Sequence, residues 1–173
     1  MKHFYLLLGS NIDPESNLPR AVQLLAAAGQ LLAVSAVYET EPVGGPAQPA
    51  FLNAAVILGS ALPASDLKRY VIAGIERELG RVRDPLDKNA PRTIDIDIAI
   101  WRDMDRDPDR LNLADRDLLR FAHVAVPLAD LAPDIVPSEA GETLSAIASR
   151  LAASGQGVVR RPGIVLPLPE GGE

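Results

Sequence analysis

Apolar positions along this chain form short clusters whose spacing changes from element to element. His3 to Leu8 is a compact apolar run that reads as a buried first strand, closed by Gly9-Ser10-Asn11. That trio forms a turn and equally suits backbone N–H groups presented to a ligand. Asp13-Pro14 opens a helix, with Asp as cap, Pro at the first helical position, and Val22, Leu24, Leu25 and Ala28 on one side. Leu31 to Tyr38 is apolar and β-branched enough for a second strand. Glu41 to Pro49 holds three prolines and two glycines and reads as a loop. Phe51 to Leu58 makes a third strand. Pro63-Ala64-Ser65-Asp66 then introduces a helix on which Leu67, Tyr70, Val71, Gly74, Ile75 and Leu79 recur at helical spacing. Gly80 stops that helix, a charged stretch runs from Arg81 to Pro91, and Thr93 to Ile100 alternates strictly, as a half-buried strand does. Beyond Trp101 the pattern gives a polar segment, a short helix near Asp117 to Phe121, a short apolar stretch from Pro127 to Leu131, and a helix around Thr143 to Leu151.

The order strand, helix, strand, strand, helix, strand is that of a ferredoxin-like α+β fold, an antiparallel sheet with helices packed on it. A chain of 173 residues fits one domain, assigned to residues 1–159. Residues 160–173, rich in Pro and Gly and ending in acid, read as a tail that packs poorly. The 47% of apolar residues is enough for a real core. A net charge of −6 disfavours nucleic acid, which is bound through clustered Lys and Arg. There are no cysteines, so any metal must be held by oxygen or by the two histidines. The run Phe4 to Leu8 is too short to cross a bilayer, and the chain reads as a cytoplasmic monomer without a membrane partner.

Composition changes the picture most around Asp95 and Asp97. Residues two apart on a strand project to one face, so both carboxylates reach one site, opposite the isoleucines. Paired carboxylates repel unless a cation neutralises them, and Mg²⁺ prefers such hard oxygen ligands. The same alternation also fits an edge strand with its charged side in water. Arg81, Arg83, Lys88 and Arg92 precede the pair and Arg110 follows it. Metal ions beside Arg and Lys are what phosphoryl-type transfer requires, although these arginines would also suit a solvated loop in which they pair with Asp84 and Asp87. The chain has no GxxxxGK[ST] or GxGxxG loop and no nucleophile elbow, and His3 and His123 lack the spacing of zinc ligands.

Several motifs in order then carry a resemblance: Leu8-Gly9-Ser10-Asn11; Tyr38-Glu39-Thr40-Glu41-Pro42-Val43-Gly44 leading through Gln48-Pro49 to Phe51-Leu52-Asn53-Ala54; Glu76 with Leu79-Gly80-Arg81-Val82-Arg83; and Pro91-Arg92-Thr93-Ile94-Asp95-Ile96-Asp97-Ile98. From Phe4 to about Pro137 the chain resembles the 6-hydroxymethyl-7,8-dihydropterin pyrophosphokinases of folate biosynthesis. The resemblance implies a ferredoxin-like core and transfer of pyrophosphate from Mg-ATP to the hydroxymethyl group of the pterin, releasing AMP. It implies that Asp95 and Asp97 bind two Mg²⁺ ions and that Arg83 and Arg92 join them as catalytic residues. Glu76, Arg83, Lys88, Arg92, Ile98, Arg110 and Asn112 would contact ATP, and residues 81–90 would form a loop closing over it. Thr40, Pro42, Val43, Phe51, Asn53 and His123 would bind the pterin, Phe51 by stacking and Asn53 by hydrogen bonds.

The chain departs from the family at three places. Lys88-Asn89-Ala90 stands where an Arg-Trp-Gly triplet is common, so the aromatic lid is missing at Asn89. Ala114-Asp115-Arg116 stands for Pro-His-Pro, putting an aspartate where a histidine meets phosphate. Phe121-Ala122-His123 stands for Arg-Ala-Phe, removing an arginine and exchanging a stacking ring for an imidazole. Arg116 or Arg120 is a candidate replacement for the lost charge. The alternative function is a divergent paralogue that binds a pterin without efficient catalysis or acts on a different pterin.

Overall fold

The structure is a computed structural model that describes residues 1–43, 48–87 and 90–168. Its strands are β1 (Lys2–Ser10), β2 (Gln30–Val34), β3 (Tyr38–Thr40), β4 (Phe51–Ser60), β5 (Asp95–Asp103), β6 (Asp107–Leu113) and β7 (Val158–Arg160). Its helices are α1 (Pro14–Ala28), α2 (Ala64–Asp66), α3 (Ala73–Glu78), α4 (Ala122–Leu131) and α5 (Leu144–Ala153). A wider π-type stretch, Leu67–Ile72, joins α2 to α3, so the helix expected from Pro63 to Leu79 is one continuous segment with an expanded middle turn.

The strands form one seven-stranded antiparallel sheet in the order β6-β5-β1-β4-β3-β7, with β2 also paired to β4. This is the expected ferredoxin-like core, widened at both edges. The second strand expected over 31–38 is two strands. Ser35 interrupts it: its N–H donates to the Ala55 carbonyl at 2.9 Å, its hydroxyl accepts from Ala55 N–H at 2.8 Å and donates to the Ala36 carbonyl at 2.7 Å. That side-chain bonding substitutes for regular pairing, a habit of serine. β2 therefore pairs with the second half of β4 and β3 with the first half.

Alternation along β1 divides the interior in two. Phe4, Leu6 and Leu8 face a core closed by Leu18, Val22 and Leu25 of α1 and by Leu67, Ile72 and Ile75. Tyr5 and Leu7 face a second core closed by α4 and α5. The two faces are covered by different helices, and the functional residues lie on the α4 side, where Leu7 pairs with Asp97 and Gly9 with Asp95.

Two expectations needed correction. Asp13 precedes α1 but in a left-handed conformation (φ 43°), and its side chain makes no capping bond. Pro127 lies inside α4 and starts no separate stretch. Within the segment 160–168, Arg160 belongs to β7, which extends the sheet beside β3, the Arg161 N–H donates to the Val37 carbonyl at 2.8 Å, and Leu166 is 5% exposed in the first core, while Val165 and Leu168 are exposed. Residues 169–173 lie outside the described residues.

Candidate active site

Register places the carboxylates. Asp95, Gly9, Asn53 and Tyr38 lie in one row across β5, β1, β4 and β3, and Asp97, Leu7 and Ala55 lie in the next row. Gly9 keeps the first row open: a Cβ there would stand 3.1 Å from Asn53 Oδ1. Above these rows lies a cavity of about 430 Å³. Asp95 and Asp97 line it together with Arg92, Thr40, Pro42, Val43, Phe51, Asn53 and His123. The sheet thus gathers nine of the residues singled out in the sequence around one space.

The turn after β1 is turned inward. Asn11 and Ile12 N–H both donate to the Arg92 carbonyl, at 3.1 and 3.2 Å, and Arg92 N–H donates to Asn11 Oδ1 at 2.8 Å. The Ser10 hydroxyl donates to the Thr93 carbonyl at 2.5 Å, and Asn11 Nδ2 donates to Gln48 Oε1 and the Pro49 carbonyl. Gly9-Ser10-Asn11 therefore clamps the approach to β5 onto the 48–49 loop, and the N–H groups of Asn11 and Ile12 serve the protein.

That clamp sets Arg92, whose Nη1 donates to Asp95 Oδ2 at 2.5 Å and whose guanidinium lies 5.6 Å from the Phe51 ring centre. Arg81 approaches Asp95 Oδ1 at 3.5 Å with its side chain 8% exposed, and its Nε and Nη1 are buried without hydrogen-bond partners among the described residues. Burial lowers its pKa and Asp95 opposes that. Asp97 is in the opposite position: burial first, then the neighbouring Asp95, pushes its carboxyl up to about 6. Its charge is under-compensated, which a divalent cation would relieve. Among the described residues no group of three or more His, Cys, Asp or Glu could hold a metal, so a cation at this pair would take its remaining ligands from phosphate and water.

The pterin-assigned residues divide into a polar pair and two rings. Asn53 Nδ2 donates to Thr40 Oγ1 at 2.9 Å, with Asn53 3% exposed. Phe51 stands on the β4 side. On the α4 side His123 stacks on Phe121, their centroids 5.4 Å apart and planes inclined by 29°. Burial lowers the His123 pKa, and Asp117 and Asp115 pull the other way.

Other expected residues lie elsewhere. Glu76, 4% exposed, accepts from Ile96 N–H at 3.2 Å and from Arg83 Nη2 at 2.7 Å, so both its oxygens already have protein partners. Arg83 itself is 68% exposed and its pKa is raised by that bond. Ile98 packs in the first core, on the face opposite Asp97. Arg110 donates to Asn112 at 3.1 Å on β6, and Asn112 donates to the Trp101 carbonyl at 3.3 Å; neither lines the cavity. Lys88 and Asn89 lie outside the described residues. The cavity also takes Glu41, Gln48, Asp117 and Phe121, which the sequence had not marked as ligands, together with Asp115 at the position of the family's histidine and Arg120, one of the two candidate replacements for the lost charge. Asp115 Oδ1 is committed to Asp117 N–H at 2.9 Å, capping the short 3₁₀ turn Arg116–Leu119.

A ferredoxin-like sheet with a carboxylate pair on the floor of a cleft defines the architecture; the particular family follows from comparison. A sequence model of the 7,8-dihydro-6-hydroxymethylpterin-pyrophosphokinases matches residues 5–133. The chain belongs to that family. It is 41% identical over 158 residues to a 2-amino-4-hydroxy-6-hydroxymethyldihydropteridine pyrophosphokinase of Methylorubrum extorquens, covering 90% of this chain and 97% of that one. It is 36% identical to the protein of the same name from Pseudomonas aeruginosa, covering 78% of this chain and 83% of that one. The fold also matches a crystal structure of Plasmodium falciparum HPPK-DHPS with a TM-score of 0.61 at 12% identity, over 88% of this chain and 44% of that longer one.

Proposed function

We propose that this chain transfers the diphosphate of ATP to the hydroxymethyl oxygen of 6-hydroxymethyl-7,8-dihydropterin. One observation carries the reading: the carboxylate pair and the pterin-assigned residues Thr40, Phe51, Asn53 and His123 line a single cavity. The pterin ring lies between Phe51 and His123, with its polar edge toward Asn53, where flat faces and a buried amide suit a heterocycle. Asp95 and Asp97 would hold Mg²⁺, two ions with ATP bound, and the metal would supply neutralisation of phosphate charge. The hydroxymethyl oxygen attacks the β-phosphorus and its proton passes to solvent, the bond from that phosphorus to the oxygen bridging to the α-phosphorus breaks, and AMP departs with that oxygen. Arg92, which lines the cavity, stabilises charge on the transferring group in this reading, and Arg83, which does not line it, contributes only by moving toward the phosphates. Positioning does most of the work, and no side chain becomes covalently attached.

The reading makes the Asp115 and Phe121 departures tolerated substitutions in an active enzyme. A net charge of −6 supports small-molecule partners over nucleic acid. Asp97→Ala is expected to reduce pterin-dependent AMP formation by at least a thousandfold while calorimetric pterin binding stays within a fewfold of wild type. A variant that turns over at the wild-type rate removes the metal assignment.

A further inference from the structure

The cavity assigned to the nucleotide carries more lining anions than cations among the described residues. Glu41, Asp95, Asp97, Asp115 and Asp117 line it, against Arg92 and Arg120 as the lining cations among the described residues. Arg92 is bound to Asp95 at 2.5 Å on the β5 side. Asp115 and Asp117 place negative charge on the opposite wall, and the wall's own cation is Arg120.

Arg120 is held in a way that leaves it able to change partner. Its ion pair with Asp117 spans 3.5 Å with the side chain 69% exposed, longer than the ~2.7–2.9 Å of a charge-assisted hydrogen bond and of the weak, solvent-screened kind. Its guanidinium lies 5.2 Å from the centre of the Phe121 ring, which in turn stacks on His123. The main chain beneath is fixed: Gln156 Nε2 donates to the Arg120 carbonyl at 2.9 Å while Gln156 Oε1 accepts from Ala122 N–H at 2.8 Å. A rigid backbone, an aromatic platform and a loosely paired guanidinium make a movable cation on a fixed base. Arg116, the neighbouring candidate, donates to Glu139 at 2.6 Å and does not line the cavity.

We propose that Arg120, resting on Phe121, binds the phosphate chain of the nucleotide from the α4 side of the cavity, and that Asp117 is the counter-ion it leaves to do so. This rests on the pyrophosphokinase reading and adds to it a binding residue outside the motifs that carry the resemblance. Bidentate guanidinium–phosphate pairing outcompetes a single long contact to a carboxylate. Phe121 contributes by holding the guanidinium over its face.

Calorimetry with a non-hydrolysable Mg-ATP analogue and, separately, with the hydroxymethyl dihydropterin tests it. Arg120→Ala is expected to weaken the analogue at least tenfold and leave pterin binding within twofold. Arg120→Lys should recover part of the loss, and Asp117→Asn, which removes the competing carboxylate, should tighten the analogue. A purely structural role would move both ligands together and would not give tighter binding in Asp117→Asn. Failure of the wild type to bind the analogue overturns this inference together with the reading beneath it. Wild-type binding that Arg120→Ala matches within twofold, or a weakened Asp117→Asn, overturns the Arg120 assignment alone.

Discussion

Asp97 is a partly buried carboxylate set beside a second one. Its carboxyl is pushed up to about 6, by burial and then by Asp95. An acid whose folded pKa lies above its unfolded value binds its proton more tightly when folded, so it favours folding below the unfolded pKa and that contribution fades as pH rises through about 6. Metal-free protein should therefore gain stability as pH falls from 7.5 toward 5, at least from this group. Asp97→Asn should raise stability at pH 7.5 by about 1–2 kcal/mol, a figure reduced for the partial solvation of the site. Denaturant titrations of both proteins at the two pH values check this; an Asn variant less stable at pH 7.5 would contradict it. His123 makes a separate prediction: if it stacks on the pterin face, His123→Phe should tighten pterin binding severalfold, by the added aromatic contact. Unchanged or weaker binding in a calorimetric titration would count against stacking. At this scale the sequence was legible where alternation fixes a direction, as for Asp95 and Asp97. It was not legible for Glu76, because only tertiary structure shows that helix α3 aims its carboxylate at Ile96 N–H and Arg83. Nor could spacing show that Asn11 would be spent on Arg92, Gln48 and Pro49.

The elements that were easiest to read are those with an unmixed signal: the continuous apolar runs of β1 and β4, buried on both faces, the alternation of β5, and the helical period of α1 and α5. β6 was hidden because its sequence, Asp107 to Leu113, is mostly polar and exposed, as an edge strand can be. β7 was hidden because Val158–Arg160 is only three residues long, too short to show a period, and lies on the opposite edge. The break between β2 and β3 depends on Ser35 bonding to Ala55 across the sheet, which no local pattern records. β7 and the segment after it matter to the fold: β7 pairs with β3, Arg161 pairs with Glu39, and Leu166 is buried with Val37 in the same core. Ending the chain after Gly157 should cost about 2–4 kcal/mol, mainly from the lost burial of Leu166 and its apolar neighbours. A truncated chain with an unchanged melting temperature would show that this segment is only draped on the surface.

At the scale of the molecule, the sheet separates two jobs. One face, filled by α1 and the segment Ala64–Glu78, is almost wholly apolar and supplies rigidity. The other face begins as core near Tyr5 and Ala99 and ends, at the Gly9 end of β1, in the cavity that carries the carboxylates. Preorganised charge on a stiff floor is what a transfer reaction without a covalent intermediate demands. The most direct test mixes the purified protein with Mg-ATP and 6-hydroxymethyl-7,8-dihydropterin and follows nucleotide products against controls lacking pterin or metal. The account predicts AMP formed in step with the diphosphorylated pterin, dependent on both pterin and metal. Pterin binding without AMP, or ADP as the product, would contradict it.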